Sequence, residues 1–463
     1  MELAPHIFRK YDIRGIVGKE ITAEFAYYLG RGFAEILRKD GRKEAAVGRD
    51  CRLSSDELSK ALSEGLQAEG IKVISIGVCP TPQLYFTLFY KKVEAGIQVT
   101  GSHNPPDMNG FKLCIGEETL AGEQVQAVRE AVERAIKKGR DLDRNATEET
   151  LEGIKDEYIN YIISNCKPFM GDRTVKVVLD AGNGVGGLVG PQVLRGLGCE
   201  VEELYCEPDG RFPNHHPDPT VMKNIEDLKR KVVEIGADVG IGFDGDADRI
   251  GVVNEKGEVI YGDMLLLIYA RYILEKEKGI TVIGDVKCSD LLFSEVEKAG
   301  GRAIMWKTGH SLIKHKLREE NAELAGEMSG HIFFKHRYFG FDDAIYSAAR
   351  LVEILSRTSL PLSKLLADVP RRVSTPEIRI EFPEDKKFQV VEEAEALFSE
   401  YELIKIDGVR IKFPEGWGLI RASNTQPALV LRFEASTKEK LKEYQETVYK
   451  KLSTLAEIEN WGF

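Results

Sequence analysis

Residues 95–109 read Ala-Gly-Ile-Gln-Val-Thr-Gly-Ser-His-Asn-Pro-Pro-Asp-Met-Asn, an apolar strand (Ala95, Ile97, Val99) that runs into a loop of small and polar residues. The same grammar returns twice. Val239-Gly-Ile-Gly-Phe243 runs into Asp244-Gly-Asp246-Ala-Asp248-Arg249, and a third unit passes through Leu324 into Glu327-Met-Ser-Gly-His331. Such units, separated by amphipathic helices, predict an α/β protein of three similar α/β domains with mixed, largely parallel sheets. Loops beyond the carboxyl ends of parallel strands are where open α/β sheets bind ligands, so the three loops are expected to converge on one cleft.

Around these loops the periodicity predicts a helix over 22–37, a strand ending at Val47 and a helix opened by Ser54-Ser-Asp-Glu57, which has the spacing of a capping box. A helix over 342–355 is expected to bury Ile345, Ala348, Val352 and Leu355 on one stripe. From about Thr375 the pattern turns β-rich: Ile378, Ile380 and Phe382, then Ile404 and Ile406, an Asp407-Gly408 hairpin signal, and Val409, Ile411 and Phe413. A last strand (Leu429, Leu431, Phe433) leads to a helix that Ser436 and Glu439 are expected to cap. This tail reads as a distinct C-terminal α+β domain, and the expected domains are 1–148, 149–254, 255–368 and 369–463.

With 463 residues and a net charge of -11, the chain is a poor general binder of nucleic acid or anionic membrane, both of which need a broad basic face. An anionic small molecule must then be held by local cations, for which Arg9, Lys10, Arg14, Arg49, Lys112, Arg249, Lys287, Lys307 and Arg421 are the candidates. Seven scattered cysteines without a CxxC pair argue against a zinc site or a disulfide framework and fit a reducing cytoplasm. The N-terminus lacks a signal-peptide core, and the most apolar run, 264–274, is short and contains Arg271, so no membrane role is expected.

Ser102 alone is a weak nucleophile, so it needs an activating base or serves as a stored phosphoester. No G-x-S-x-G elbow is present, and Thr100, His103, Asn104 and Lys112 suit a phosphate, which favours the second reading over a bland turn. Asp244, Asp246 and Asp248 alternate, so an extended or loop backbone aims three carboxylates to one side, where a cation, expected to be Mg²⁺, must offset their repulsion. An EF-hand reading fails because Arg249 stands where that loop needs glycine and strands flank it. Glu327, Ser329 and His331 alternate likewise and suit neighbouring sugar hydroxyls. Arg421-Ala-Ser-Asn-Thr-Gln-Pro427 crowds a guanidinium, hydroxyls and an amide into a turn suited to phosphate oxygens. The glycine-rich 181–187 stretch departs from the dinucleotide register and reads as a tight turn.

Taken in order, Tyr11-Asp-Ile-Arg-Gly15, Thr100-Gly-Ser-His-Asn-Pro105, Asp244 to Arg249, Gly326-Glu-Met-Ser-Gly-His331 and Arg421-Ala-Ser-Asn-Thr425 resemble the α-D-phosphohexomutase superfamily across essentially the whole chain. Its bacterial phosphomannomutase/phosphoglucomutase branch is the nearest. The resemblance implies a central cleft among four domains and a phosphoserine at Ser102, with Mg²⁺ held by Asp244, Asp246, Asp248 and a phosphate oxygen on Ser102. It further implies His103 and Arg249 flanking that phosphate, and Lys112, Arg14 and His331 as proton-transfer positions. Tyr11, Lys287, His310 and Glu327, with Met328, Ser329, Gly330 and His331, would line the sugar pocket, while Arg421, Ala422, Ser423, Asn424 and Thr425 would hold the other phosphate. The implied activity interconverts mannose or glucose 1- and 6-phosphates through a hexose 1,6-bisphosphate, which also serves as activator. Phosphoglucosamine mutase, phosphatase and a non-catalytic sugar-phosphate binder are the competing readings, and a monomer or weak homodimer is the expected assembly.

Overall fold

The computed structural model of the protein describes residues 3–139, 146–423, 427–458 and 462. Three sheets repeat one four-strand pattern. In the first unit the chain forms Glu44–Arg49, then Lys72–Val78 on one side of it, then Ala95–Val99 on the other, all parallel, and Met108–Ile115 returns antiparallel beside Ala95–Val99. The second repeats this order with Lys176–Asp180, Glu200–Leu204, Val239–Phe243 and Ile250–Asn254, and the third with Thr281–Asp285, Arg302–Trp306, Leu324–Gly326 and Ile332–Phe334. Each expected functional loop is therefore the hairpin between a parallel strand and its antiparallel return. This explains the small residues, since such a connection must reverse within a few residues.

Helices over Ala23–Lys39, Ser55–Ala68 and Glu123–Lys138 pack with the first sheet, and a continuous apolar core runs from the first unit (Leu84, Tyr85, Phe86) through the second to the third. The helix Ala344–Ser356 lies inside that core and buries every residue, not only the predicted stripe, because neighbours from the second and third units enclose it. It begins two residues later than expected: Asp343 caps it, accepting from the Tyr346 N–H at 2.8 Å, and leaves Asp342 outside the helix.

The fourth domain is an antiparallel sheet in the order Val373–Ser374, Ala428–Ala435, Gly416–Ala422, Val409–Phe413, Glu402–Ile404, packed with helices Lys387–Leu397 and Lys438–Leu452 around its own core. Three expectations need correction. Arg421 and Ala422 close the strand Gly416–Ala422 instead of lying in a turn. Ser54 does not cap its helix: its backbone is already helical and its hydroxyl accepts from Asn109 Nδ2. The last helix is capped by Thr437, one residue after the expected Ser436, whose hydroxyl donates to Glu415 instead. All seven cysteines are free, and among the described residues no helix is long and apolar enough to cross a membrane.

Candidate active site

Ser102 sits in the first hairpin with φ +48°, a left-handed conformation that costs a non-glycine residue about 1–2 kcal/mol. Two buried side chains hold it there. Asp50 accepts from Thr100 Oγ1 (2.8 Å) and from the Gly101 N–H (3.1 Å). Arg52 donates from Nη2 to the carbonyl oxygens of Ser102 (2.8 Å) and Asn104 (2.6 Å), and from Nη1 to those of Pro105 (2.6 Å) and Met108 (3.0 Å). Arg14 reaches the same loop, with Nη1 donating to Asn104 Oδ1 at 2.7 Å. His103 Nδ1 lies 3.2 Å from Ser102 Oγ, and burial, reinforced by Arg249 and Arg14, pushes that imidazole toward its neutral form.

The second hairpin meets the first face to face. Ser102 Oγ donates to Asp244 Oδ2 at 2.9 Å, across 142 residues of sequence. A Cβ at position 245 would collide with the Ser102 carbonyl oxygen, so Gly245 is what lets the loops touch. Asp244, Asp246 and Asp248 are fully buried and each brings a ligand oxygen within 4.8 Å of the others. Asp244 Oδ1 accepts from the N–H groups of Asp248 and Arg249, both at 3.1 Å. Asp246 Oδ2 accepts from Thr81 Oγ1 (2.6 Å) and Lys112 Nζ (2.8 Å), and Lys112 also pairs with Asp248.

Burial and the neighbouring charges of Asp248 and Asp246 push the Asp244 carboxyl well up. Burial opposes charge on Asp246 too, but Lys112 and Thr81 outweigh it and hold that carboxyl below its usual range. Asp246 Oδ1 and Asp248 Oδ1 are buried without a hydrogen-bond partner. Unsatisfied carboxylate oxygens are expensive, and a pair of them beside a third carboxylate and a serine hydroxyl is a donor set that fits a hard divalent cation.

The third hairpin closes over both. The Ile250 N–H donates to the Gly330 carbonyl at 3.0 Å, and Gly330, at φ +90°, has no room for a Cβ against Ile250. His331 Nε2 accepts from Arg249 Nε at 2.9 Å, and its Nδ1 lies 3.1 Å from the Asp248 carbonyl oxygen. The His310 ring stacks 5.6 Å from that of His331 and meets the edge of Tyr11 at 5.4 Å, and both its buried nitrogens lack a partner. Glu327 Oε1 accepts from the Gly309 N–H at 2.5 Å, and burial pushes its carboxyl up. Met328 and Ser329 are half-buried beside it.

From the fourth domain, Arg421 donates through Nε (3.2 Å) and Nη2 (3.0 Å) to Asp407, which also accepts from the Thr308 N–H of the third unit at 3.1 Å. Glu377 takes Lys287 Nζ at 3.0 Å. Ser423 ends the described part of that loop, and Asn424 and Thr425 lie outside the described residues. The contacts thus join Ser102, His103, Arg14, Lys112, the aspartates, Arg249 and His331 in one network, with Tyr11 and His310 reached through ring packing.

The sequence reading gave no site role to Asp50, Arg52, Asp342, Glu377 or Asp407, of which Asp407 figured only as a hairpin signal. A signal did exist for the first: Asp50, Asp180 and Asp285 each stand at the end of a unit's central strand. Asp285 repeats the role of Asp50 in the third unit, accepting from Thr308 Oγ1 (3.0 Å) and the Met328 N–H (3.3 Å) of a functional loop.

Hairpins from three α/β units bring a serine hydroxyl, three buried carboxylates and several cations together, with Arg421 of the fourth domain joined to the third unit through Asp407, so fold and site define a multidomain enzyme of the phosphoryl-transfer class. Phosphoglucomutase/phosphomannomutase models match in series: α/β/α domain I over residues 5–141, domain II over 156–257, domain III over 261–373 and the C-terminal domain over 377–451. The chain belongs to the phosphoglucomutase/phosphomannomutase family. A phosphomannomutase/phosphoglucomutase of Pseudomonas aeruginosa is 49% identical over 95% of this chain and 94% of its own. A phosphoglucomutase of Neisseria meningitidis is 47% identical over 96% of each. The crystal structure of a phosphoglucomutase/phosphomannomutase family protein from Burkholderia thailandensis has a TM-score of 0.90 at 41% identity, covering 99% of this chain and all of its own.

Proposed function

We propose that the protein interconverts hexose 1-phosphates and hexose 6-phosphates of the mannose and glucose series, with Ser102 as the phosphoryl carrier. The observation that carries this reading is the 2.9 Å contact between Ser102 Oγ and Asp244 inside a buried acidic trio. Mg²⁺, held by Asp244, Asp246, Asp248 and a phosphate oxygen on Ser102, would supply charge neutralisation and Lewis-acid polarisation of the transferring group.

Ser102 gives its phosphoryl group to the free hydroxyl of the bound sugar phosphate, and the resulting hexose 1,6-bisphosphate turns end for end before its other phosphate returns to Ser102. Arg14, Arg249 and His103 neutralise or hydrogen-bond the moving phosphoryl oxygens. Among Arg14, Lys112 and His331, only His331 presents a lone pair: Lys112 stays an ammonium because Asp246 and Asp248 outweigh the effect of its burial. His331 Nε2, which here takes the Arg249 Nε–H, is therefore assigned as acceptor of the hydroxyl proton once Arg249 turns to the phosphoryl oxygens, and Lys112 as the cation that returns a proton or stabilises the oxyanion. Glu327, Met328, Ser329 and Gly330 hold sugar hydroxyls, with Tyr11, Lys287 and His310 lining the pocket. Arg421, Ala422, Ser423, Asn424 and Thr425 grip the non-reacting phosphate at either end of the sugar.

Intact-mass measurement should find one phosphate on the protein, absent from Ser102→Ala, and that variant should lose at least about a thousandfold in kcat. Full turnover by Ser102→Ala would remove the carrier. Turnover that yields inorganic phosphate would favour a phosphatase, and a marked preference for glucosamine 1-phosphate over the mannose and glucose compounds would favour the amino-sugar mutase.

A further inference from the structure

The Asp407-Gly408 turn of the fourth domain, between strands Glu402–Ile404 and Val409–Phe413, lies directly against Arg421. Val409 pairs with Ile420, and a Cβ at Gly408 would stand 2.3 Å from the Ile420 carbonyl oxygen and 2.6 Å from the Arg421 Cβ. At φ +82°, a glycine is what lets the turn come this close. The approach delivers Asp407 to the guanidinium. A single oxygen, Oδ2, accepts from Arg421 Nε at 3.2 Å and Nη2 at 3.0 Å, and from the Thr308 N–H of the third unit at 3.1 Å. The Arg421 side chain is 5% exposed and that of Asp407 13%. Burial works against charge on Arg421, and Asp407 is foremost among the groups that outweigh it. The charge of Asp407 also opposes the effect of burial on Lys10, so this carboxylate sits among cations, which offsets its repulsion of an incoming phosphate.

We propose that Asp407 is a positioning residue for substrate binding, a carboxylate that clamps the Nε–Nη2 edge of Arg421 so that the guanidinium meets the non-reacting phosphate already oriented; this rests on the mutase reading above, in which Arg421 grips that phosphate. A guanidinium is planar, so fixing one edge fixes its plane and the direction of Nη1, the nitrogen that Asp407 does not touch. An unclamped arginine would give up its rotamer freedom on binding, whereas a clamped one has given it up beforehand, and the difference appears as affinity. The bond to the Thr308 N–H fixes the carboxylate in turn. Thr308 Oγ1 donates to Asp285, and Asp285 accepts from the Met328 N–H, so a continuous path of hydrogen bonds joins the phosphate anchor to the loop that holds the sugar hydroxyls. The non-reacting phosphate is gripped alike in the ground state and the transition state, so the contribution of Asp407 is uniform binding, which is read in KM.

The test is a double-mutant cycle of Asp407→Ala and Arg421→Ala in the full-length protein, with kcat and KM for both glucose 1-phosphate and glucose 6-phosphate. Asp407→Ala should raise KM about tenfold, the upper end of what immobilising one long side chain costs, with kcat within about threefold. The rise should be the same for both substrates, because the anchor takes the phosphate at either end of the sugar. Asp407→Asn keeps the shape and one acceptor oxygen; it should raise KM about threefold, and it carries the test if the alanine variant does not fold. In the Arg421→Ala background, Asp407→Ala should change KM less than about twofold. An unchanged KM in the folded variants, a rise for one substrate alone, an equal rise without Arg421 or a loss confined to kcat would overturn the proposal. So would a lower KM, which would make Asp407 a rival of phosphate for the guanidinium. Absence of mutase turnover in the wild type would instead strike the functional reading, and calorimetry of glucose 1-phosphate binding to Ser102→Ala, with and without Asp407→Asn, would then judge Asp407. About threefold weaker binding supports the clamp; equal binding, or none to Ser102→Ala itself, overturns it.

Discussion

His215 and Asp180 form a histidine–carboxylate pair, with Nε2 2.9 Å from Asp180 Oδ2, and it fastens the segment after Glu200–Leu204 to the end of a central strand. Burial disfavours the imidazolium, but the hydrogen bond and charge of Asp180 outweigh it and raise the His215 pKa above its ordinary value. A raised histidine pKa stabilises the fold fully below the unfolded value of about 6.5, and that stability is lost as pH rises through the folded value. His215→Gln should therefore lower the melting temperature most at pH 6, and the gap to wild type should narrow as the pH rises past the folded value; a gap that stays constant with pH would contradict this. At this scale the sequence displayed the reactive types, Ser102 and the three aspartates, because their alternation within a few residues is a local pattern. Asp50, Arg52 and Asp342 stayed hidden. Arg49-Asp50-Cys51-Arg52 has the composition of any solvated turn, and only the fold turns its charges onto the Ser102 loop.

Among the elements, helix starts show how finely local signals discriminate. Ser436-Thr437-Lys-Glu439 offers two adjacent hydroxyls, and the structure uses Thr437, whose Oγ1 accepts from the Lys440 N–H at 3.2 Å. Thr437→Ala should cost about 1 kcal/mol in denaturant unfolding of the fourth domain, whereas Ser436→Ala, which loses only an exposed bond to Glu415, should cost less than about 0.5 kcal/mol. The reverse order would place the cap back at Ser436. The strand Gly416–Ala422 escaped the sequence reading because Gly-Trp-Gly and Arg421 depart from the alternation expected of a strand with one buried face. Its burial on both faces is a product of packing: helices cover one side and the third unit lies against Trp417 and Leu419.

Across the whole molecule, the first three units share one core while the fourth keeps its own and docks on the third through buried polar groups. Arg410 stacks 3.6 Å above the Trp417 ring and donates to the carbonyl oxygens of Val286 and Cys288, and Ser289 Oγ donates to Glu434 at 2.8 Å. Removing the guanidinium leaves buried carbonyls unpaired, at a cost of about 1–3 kcal/mol for each. Calorimetry of Arg410→Gln should show a transition of the fourth domain moving down while that of the three-unit block stays; one transition shifting as a whole would make the joint part of the common core. The sequence by itself determined the triplication, the distinct fourth domain and the chemical character of every loop, since strand period, turn composition and charge spacing are encoded within a dozen residues. Only the tertiary structure decided that Ser102 meets Asp244, that Lys112 lies between Asp246 and Asp248 and that Asp342 comes within 3.1 Å of His331 Nδ1. Those partners stand 142, 134 and 136, and 11 residues apart, and even the last is set by how a strand, a hairpin and a helix pack, because a side chain's partner depends on the docking of elements and not on its neighbours along the chain.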